Sequence, residues 1–327
     1  MKAAVLYGPR DIRVEDRDEP IPPEGWAKVE VKTVGICGTD KAFYTGSYPL
    51  FKKPLIPGHE VSGVVVEGPE DLLGASVVSE INFSCRQCRV CQSGLYTHCP
   101  YKKTLGIDFD GGMAEYLVAP VWALHRHELP HNIAFVVEPL AAVINMVRQY
   151  PPTPGDVVAI IGTGFIAWLS ANLLRLLGHE PVIVYRRGSR KIDYFRKAGF
   201  KVATLEEAQE IGRSEPALGL GFDFVVEATG SNHGLNAAVE LARPRGVIHI
   251  KSTPGGATLY PQTVSVVKEL RIIGTRCGDW RDFRFALRLL EKGLVQIPIT
   301  NNYKLDDARE AFERSLKSDS LRVVIEP

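Results

Sequence analysis

No apolar run in the chain approaches the ~20 residues that a membrane-spanning helix needs; stretches such as 157–161 are the longest kind present. The opening MKAAVLYGPRDIRVED reads as a strand followed by charges rather than a secretory signal, so a soluble, cytoplasmic protein is expected. Neither sign of charge dominates. With 39 Lys and Arg against 38 Asp and Glu, the formal net charge of +1 gives no electrostatic reason to expect nucleic acid or an anionic membrane as partner. Cysteine is scarce, six in 327 residues, and there are three methionines. Internal repeats and low-complexity tracts are missing too, which excludes a solenoid. What remains is a globular chain longer than one core usually grows, and two domains are expected.

Four of the six cysteines cluster as Cys85, Cys88, Cys91 and Cys99, a C-x2-C-x2-C-x7-C spacing. Short loops of this kind turn four sulfurs onto one soft ion, so the segment reads as structural zinc. In a reduced compartment two disulfides are the less favoured reading. Four thiolates leave the ion no open position. Such a site holds a lobe together, and any chemistry lies elsewhere.

Along the chain, short β-type runs at 3–7, 27–34, 61–67 and 76–80, broken by Gly and Pro, suit an antiparallel, barrel-like lobe. After a Pro-rich break at 151–155 the pattern becomes strand and helix in alternation. Strands are expected at 157–161, 182–185, 222–228 and 246–251, with helices at 167–177 and 190–198, which makes a parallel α/β sheet. Helices at 283–291 and 306–315 then precede a last strand at 322–325.

The strand VVAII runs into Gly162-Thr163-Gly164-Phe165-Ile166-Ala167 and then into an apolar helix. In this context the first Gly makes the tight turn, Gly164 lets backbone N–H groups approach a pyrophosphate, and Ala167 allows close helix–strand packing. The helix N-terminus adds the positive end of its dipole. Thr229, just after the strand at 222–228, joins these residues as a candidate for cofactor binding. At the end of the second strand stand Tyr185, Arg186 and Arg187, with no carboxylate to accept from a ribose 2′-hydroxyl. Two guanidinium groups there suit a 2′-phosphate, which favours NADP over NAD.

Three further segments carry possible metal ligands: Cys37 in G-I-C-G-T-D, His59 in P-G-H-E, and Glu138 in V-E-P-L-A. Singly they are weak signals. Together with the four-cysteine lobe and the nucleotide turn, in this order, the chain resembles the zinc-dependent medium-chain dehydrogenase/reductase family over essentially its whole length. The E-P-L-A segment looks like that of the polyol and glucose dehydrogenase branch.

The resemblance implies a GroES-like, mostly β catalytic domain at 1–145 and 275–327, with a Rossmann doubly wound parallel-sheet domain at 146–274. It implies two zinc ions per chain. Cys37 and His59 would bind the catalytic one, with Glu138 or Glu60 as the third ligand and an open fourth position for an alcohol or carbonyl substrate. Thr39 would take the substrate's proton, Asp40 would orient His59, and Arg322 would lie near the coenzyme pyrophosphate and the Glu of G-H-E. The family also implies a homodimer or homotetramer, paired through Rossmann-domain edges.

Departures from the family pattern are Ala42 where many members have a relay histidine, a compressed segment PEDLLGA after G-H-E-x-x-G, and Ile144-Asn145 where Leu-His is common. Tyr44, Tyr48, Phe109 and Trp280 are candidate walls of a substrate pocket. Two rival readings follow from the same residues: a zinc-free quinone or enone reductase, against which Cys37, His59 and Glu138 argue, and a non-enzymatic zinc-ribbon module, which too few basic residues support.

Overall fold

The computed structural model of the protein describes residues 1–214 and 219–327. It divides into two compact units, Met1–Ala141 with Cys277–Pro327, and Ala142–Arg276. The boundaries thus fall at 142 and 277, against 146 and 275 read from the sequence.

In the first unit, β1 (Lys2–Gly8) and β2 (Asp11–Asp16) form an antiparallel pair. Strands β3 (Trp26–Gly35), β4 (Glu60–Glu67) and β5 (Ser76–Ser79) follow, then the short β6 (Asn82–Phe83) and β7 (Lys103–Thr104), then β8 (Tyr116–Pro120) and β9 (Leu124–Arg126). In β3, Ala27, Val29, Val31 and Val34 are buried while Lys28, Glu30 and Lys32 are not, the alternation of a strand with one face on the core. The pairing Gly35↔Glu60 between β3 and β4 brings the chain just past β3, with Cys37, beside the chain just before β4, with His59.

The second unit holds β10 (Val158–Ile161), β11 (Val182–Val184), β12 (Val202–Ala203), β13 (Phe222–Glu227), β14 (Ala242–Ile250) and β15 (Arg271–Gly274). They form one parallel sheet in the order β12-β11-β10-β13-β14-β15. All four residues of β10 are buried, as a central parallel strand requires. The order reverses direction between β10 and β13, the point at which such sheets open a crevice at their carboxyl edge.

The chain then returns to the first unit with β16 (Asn301–Lys304) and β17 (Val323–Glu326). β17 pairs with β3 at Val34 and Gly35, completing a seven-stranded sheet in the order β16-β17-β3-β4-β5-β9, with β8 paired to β3 along Trp26–Glu30. Among the described residues no helix is long and apolar enough to cross a membrane.

The helix Val137–Gln149, which carries Glu138, was not expected from the sequence. Residues 134–146 are buried on every side, so no polar face marks its period. The compressed segment after β4 becomes a single turn of 3-10 helix, Glu70–Leu72.

Candidate metal and dinucleotide sites

In the four-cysteine lobe, Cys85–Cys91, Cys88–Cys91, Cys88–Cys99 and Cys85–Cys99 have sulfurs 4.0, 3.5, 3.8 and 3.5 Å apart. A disulfide needs about 2 Å, whereas the edge of a tetrahedron with Zn–S of about 2.3 Å is about 3.8 Å. The residues fit one tetrahedral ion. The lobe is also wired to the unit's core: Tyr96 Oη donates to Glu80 Oε2 at 2.6 Å and accepts from Trp280 N at 2.7 Å, and Glu80 Oε1 meets His125 Nε2 at 2.9 Å.

The second cluster is built by two loops stapled through one carboxylate. Cys37 precedes the helix Gly38–Thr45, and its N–H donates to Asp40 Oδ2 at 2.8 Å; Gly58 N donates to Asp40 Oδ1 at 3.3 Å. Asp40 is fully buried, so these bonds hold the Cys37 turn and the Gly58-His59 turn in one place. Gly58 sits at φ +96°, and a Cβ there would lie 2.8 Å from Val34, so the turn that presents His59 demands glycine. His59 Nδ1 lies 3.9 Å from Asp40 Oδ1, close enough for charge to be felt but not for a hydrogen bond.

Cys37, His59 and Glu60 each offer a ligand atom, all within 4.8 Å of one another. Among the described residues, buried His59 Nδ1 has no hydrogen-bond partner. Burial, and after it the charges of Asp40 and Glu138, push the Cys37 thiol up to about 11. Sulfur, imidazole and carboxylate gathered where the local field disfavours another anion fit a divalent cation of zinc's preferences. Thr39 follows at the helix start, half-buried, with its N–H turned to the Cys37 sulfur.

Glu138 does not join this group. It is buried in the first turn of Val137–Gln149, near enough for its charge to act on Cys37. Arg322 is buried as well and forms an ion pair with Glu60, donates to the Ile36 carbonyl at 3.2 Å, and lies 5.0 Å over the Phe135 ring. Of the aromatic wall candidates, Tyr44 is core: it is 1 % exposed, packs on Phe312 and donates to Glu313. Phe109 packs against Trp26 and Phe83, and Tyr48 stacks on Phe43. Trp280 is exposed.

In the second unit, Gly162 takes φ +117° and a Cβ there would fall 2.6 Å from the Ala228 carbonyl oxygen, so this turn too demands glycine. Gly164 caps the helix Phe165–Leu176, whose first residues are Phe165 and Ile166, while a Cβ on Gly164 would meet open space. This helix starts four residues after β10 ends, at the carboxyl edge of the sheet, where folds of this kind bind a pyrophosphate. Thr163 Oγ1 bonds Ser189 Oγ at 2.8 Å, tying the glycine turn to the basic loop after β11, a contact the sequence did not reveal. In that loop Arg186 and Arg187 are exposed; Arg187 lies 3.9 Å from Glu206, and Tyr185 accepts from Arg196 at 3.2 Å. Thr229 donates through N and Oγ1 to Glu227 at 2.8 and 2.5 Å.

A zinc-type donor cluster in one unit and a glycine turn on a parallel sheet in the other define a zinc-dependent oxidoreductase that uses a nicotinamide coenzyme. Residues 23–130 match the alcohol dehydrogenase GroES-like domain, and 166–292 the zinc-binding dehydrogenase family. The chain belongs to the zinc-dependent medium-chain dehydrogenase/reductase family, and transfers hydride between NAD(P)(H) and an alcohol or carbonyl substrate.

It is 29 % identical to D-xylulose reductase A of Aspergillus oryzae, over 98 % of this chain and 95 % of the relative. It is 27 % identical to L-galactonate-5-dehydrogenase of Escherichia coli K12, over 97 % and 95 %. A structure from Sinorhizobium meliloti 1021, described as a zinc-binding dehydrogenase bound to NADP, superposes with a TM-score of 0.88 at 27 % identity, covering 100 % of this chain and 99 % of that one.

Proposed function

We propose that the protein is a polyol or sugar dehydrogenase that prefers NADP, binds two zinc ions per chain, and uses Cys37, His59 and Glu60 to hold the catalytic one. The observation that carries this reading is the sulfur, imidazole and carboxylate set within 4.8 Å beside the buried staple Asp40. A zinc ion held there supplies Lewis acidity that brings an alcohol's pKa towards neutrality. Thr39 takes the alcohol's proton and passes it to water or to a ribose hydroxyl, since Ala42 offers no imidazole. Asp40 keeps the two ligand turns in register, and Arg322 balances Glu60 when the ion is absent.

Gly162, Thr163 and Gly164 cradle the pyrophosphate at the start of Phe165–Leu176, and Arg186 and Arg187 receive the 2′-phosphate. That Glu206 lies near Arg187 leaves Arg186 as the stronger of the two. The polyol class is supported by the relatives' substrates and by the E-P-L-A segment. Edge strand β15, with exposed Leu259, Val266 and Val267 nearby in the chain, supports a homo-oligomer paired through the second unit. Sulfurs spaced 3.5–4.0 Å apart in the four-cysteine lobe, too far for disulfides, suit a reducing, cytoplasmic setting.

The test is a panel of polyols, sugars and hydrophobic alcohols assayed with both coenzymes, alongside zinc analysis. Cys37→Ser and His59→Ala should abolish turnover and leave coenzyme binding in place. Near wild-type turnover by either variant without its zinc would remove the catalytic assignment.

A further inference from the structure

Glu227 closes β13 at the carboxyl edge of the parallel sheet, next to the point between β10 and β13 where strand order reverses. Its side chain is 2 % exposed. Among the described residues the carboxylate is satisfied by neutral donors: Thr229 N at 2.8 Å and Thr229 Oγ1 at 2.5 Å on Oε1, and Ser252 Oγ on Oε2. Thr229 Oγ1 in turn accepts from Ser231 N at 3.0 Å, and Lys251 N donates to the Glu227 carbonyl at 2.8 Å. The start of Gly234–Leu241 closes over this cluster so tightly that a Cβ on Gly234 would lie 2.1 Å from Glu227 Oε1.

One carboxylate therefore joins the turn after β13 to the loop after β14. That turn touches the dinucleotide site directly, because Ala228 presents its carbonyl oxygen to Gly162 and donates its N–H to Ile161 at 2.9 Å. A buried carboxylate is costly even when hydrogen-bonded, and an amide or an apolar plug would cross-link or fill the space without a charge. The charge has a use that its hydrogen bonds do not explain. The phosphates of a dinucleotide are the same in both oxidation states, but the oxidised nicotinamide ring is a cation and the reduced ring is neutral, so a fixed anion in the crevice acts differently on the two.

Resting on the reading of the Gly162 turn as the coenzyme site, we propose that Glu227 is the positioning residue of the crevice, setting the wall made by Thr229 and Ser252 and biasing binding towards the oxidised coenzyme. The experiment measures dissociation constants of NADP+ and NADPH, by quenching of protein fluorescence and by nicotinamide fluorescence, on the zinc-loaded full chain. Glu227→Gln is expected to weaken NADP+ about tenfold and NADPH about threefold or less, so that their ratio shifts by about threefold or more at an unchanged melting temperature. Ser252→Ala is expected to weaken both coenzymes together and leave the ratio alone. An unchanged ratio in Glu227→Gln overturns the proposal. Should that variant fail to fold, wild-type affinities in Ser252→Ala overturn it instead. Gly164→Val separates the underlying reading: its Cβ meets open space, so the fold survives, and if it still binds either coenzyme as the wild type does, the dinucleotide lies elsewhere whatever Glu227 does.

Discussion

The guanidinium of Arg322, near the end of the chain, pairs with the carboxylate of Glu60, and both side chains are almost wholly buried. A Cβ on Gly35 would collide with both of them, so β3 is cut away at this point to let the pair form beside the metal ligands. Burial lowers the Arg322 pKa to about 10, and the Cys37 and Asp40 charges hold it up. The guanidinium is thus the protein's own counter-charge for the site.

Removing it leaves Glu60 buried without that charge. Arg322→Met is expected to cost about 3–5 kcal/mol of stability, the range for breaking a buried pair. A bound zinc ion supplies the missing positive charge, so the loss is expected to be smaller for zinc-loaded protein than after chelation. Melting curves of the variant with and without chelator check this, and equal losses in the two states count against Glu60 as a ligand.

The four-cysteine lobe predicts a different pattern. Cys88→Ser opens one corner of the tetrahedron and is expected to halve the zinc content and destabilise the first unit by upwards of about 4 kcal/mol, the range in which loss of a metal falls. Because no reacting group is touched, turnover per folded molecule is expected to persist well below the melting temperature. Zinc analysis and activity at low temperature are the measurements, and a variant that melts like the wild type would dismiss the lobe as structural.

Coenzyme choice rests on the loop after β11. An exposed, charge-assisted contact from Arg186 to a 2′-phosphate is worth about 1.5–3 kcal/mol, so Arg186→Asp is expected to lower the NADP-to-NAD ratio of kcat/KM by about tenfold or more. The same ratio in Arg187→Ala is expected to change less, since Glu206 already lies near that guanidinium. Steady-state kinetics with both coenzymes decide it, and an unmoved ratio in Arg186→Asp would end the phosphate reading.

These parts differ in how far they could be read from the chain. Cysteine spacing, the glycine turn, and the Cys37 and His59 segments were legible because each is a short motif whose chemistry acts within a few residues. Pairing of Glu60 with Arg322 was not derivable from the residues themselves, because it depends on β17 coming to lie beside β3. Glu138 looked equivalent to Glu60 because the helix that holds it is buried all round and has no visible period. Asn145, part of the Ile144-Asn145 departure from the family pattern, donates to the Arg276 carbonyl at 2.8 Å and ties two distant segments of the second unit together, a contact with no local sequence signal. Glu227 drew no notice at all, since a lone acid at the end of an apolar run carries no spacing signal.

The last prediction concerns acid. His127 meets Ser62 Oγ at 2.9 Å through Nε2, and His131 meets the same hydroxyl at 2.7 Å through Nδ1. His249 donates through Nε2 to the Tyr150 carbonyl at 3.0 Å. Burial first, then His131, lowers the His127 pKa to about 4; burial, then Lys251, brings His249 to about 4 as well. Burial and Lys32 lower His131, against an opposing pull from Glu30. The folded values lie below the unfolded value of about 6.5, so between pH 6.5 and 4 the unfolded chain binds more protons. Stability from these groups is therefore complete above pH 6.5 and falls as the pH drops through that window, by about 1.4 kcal/mol per pH unit for each histidine at most. Zinc ligands also protonate in acid, so the difference between proteins is what isolates the histidines. Urea unfolding of the wild type and of a His127→Gln, His249→Gln double variant at pH 7.5 and 5.0 is expected to show the smaller loss in the variant, because a neutral amide has no proton to gain. Parallel losses would mean that these two rings already titrate normally in the folded protein.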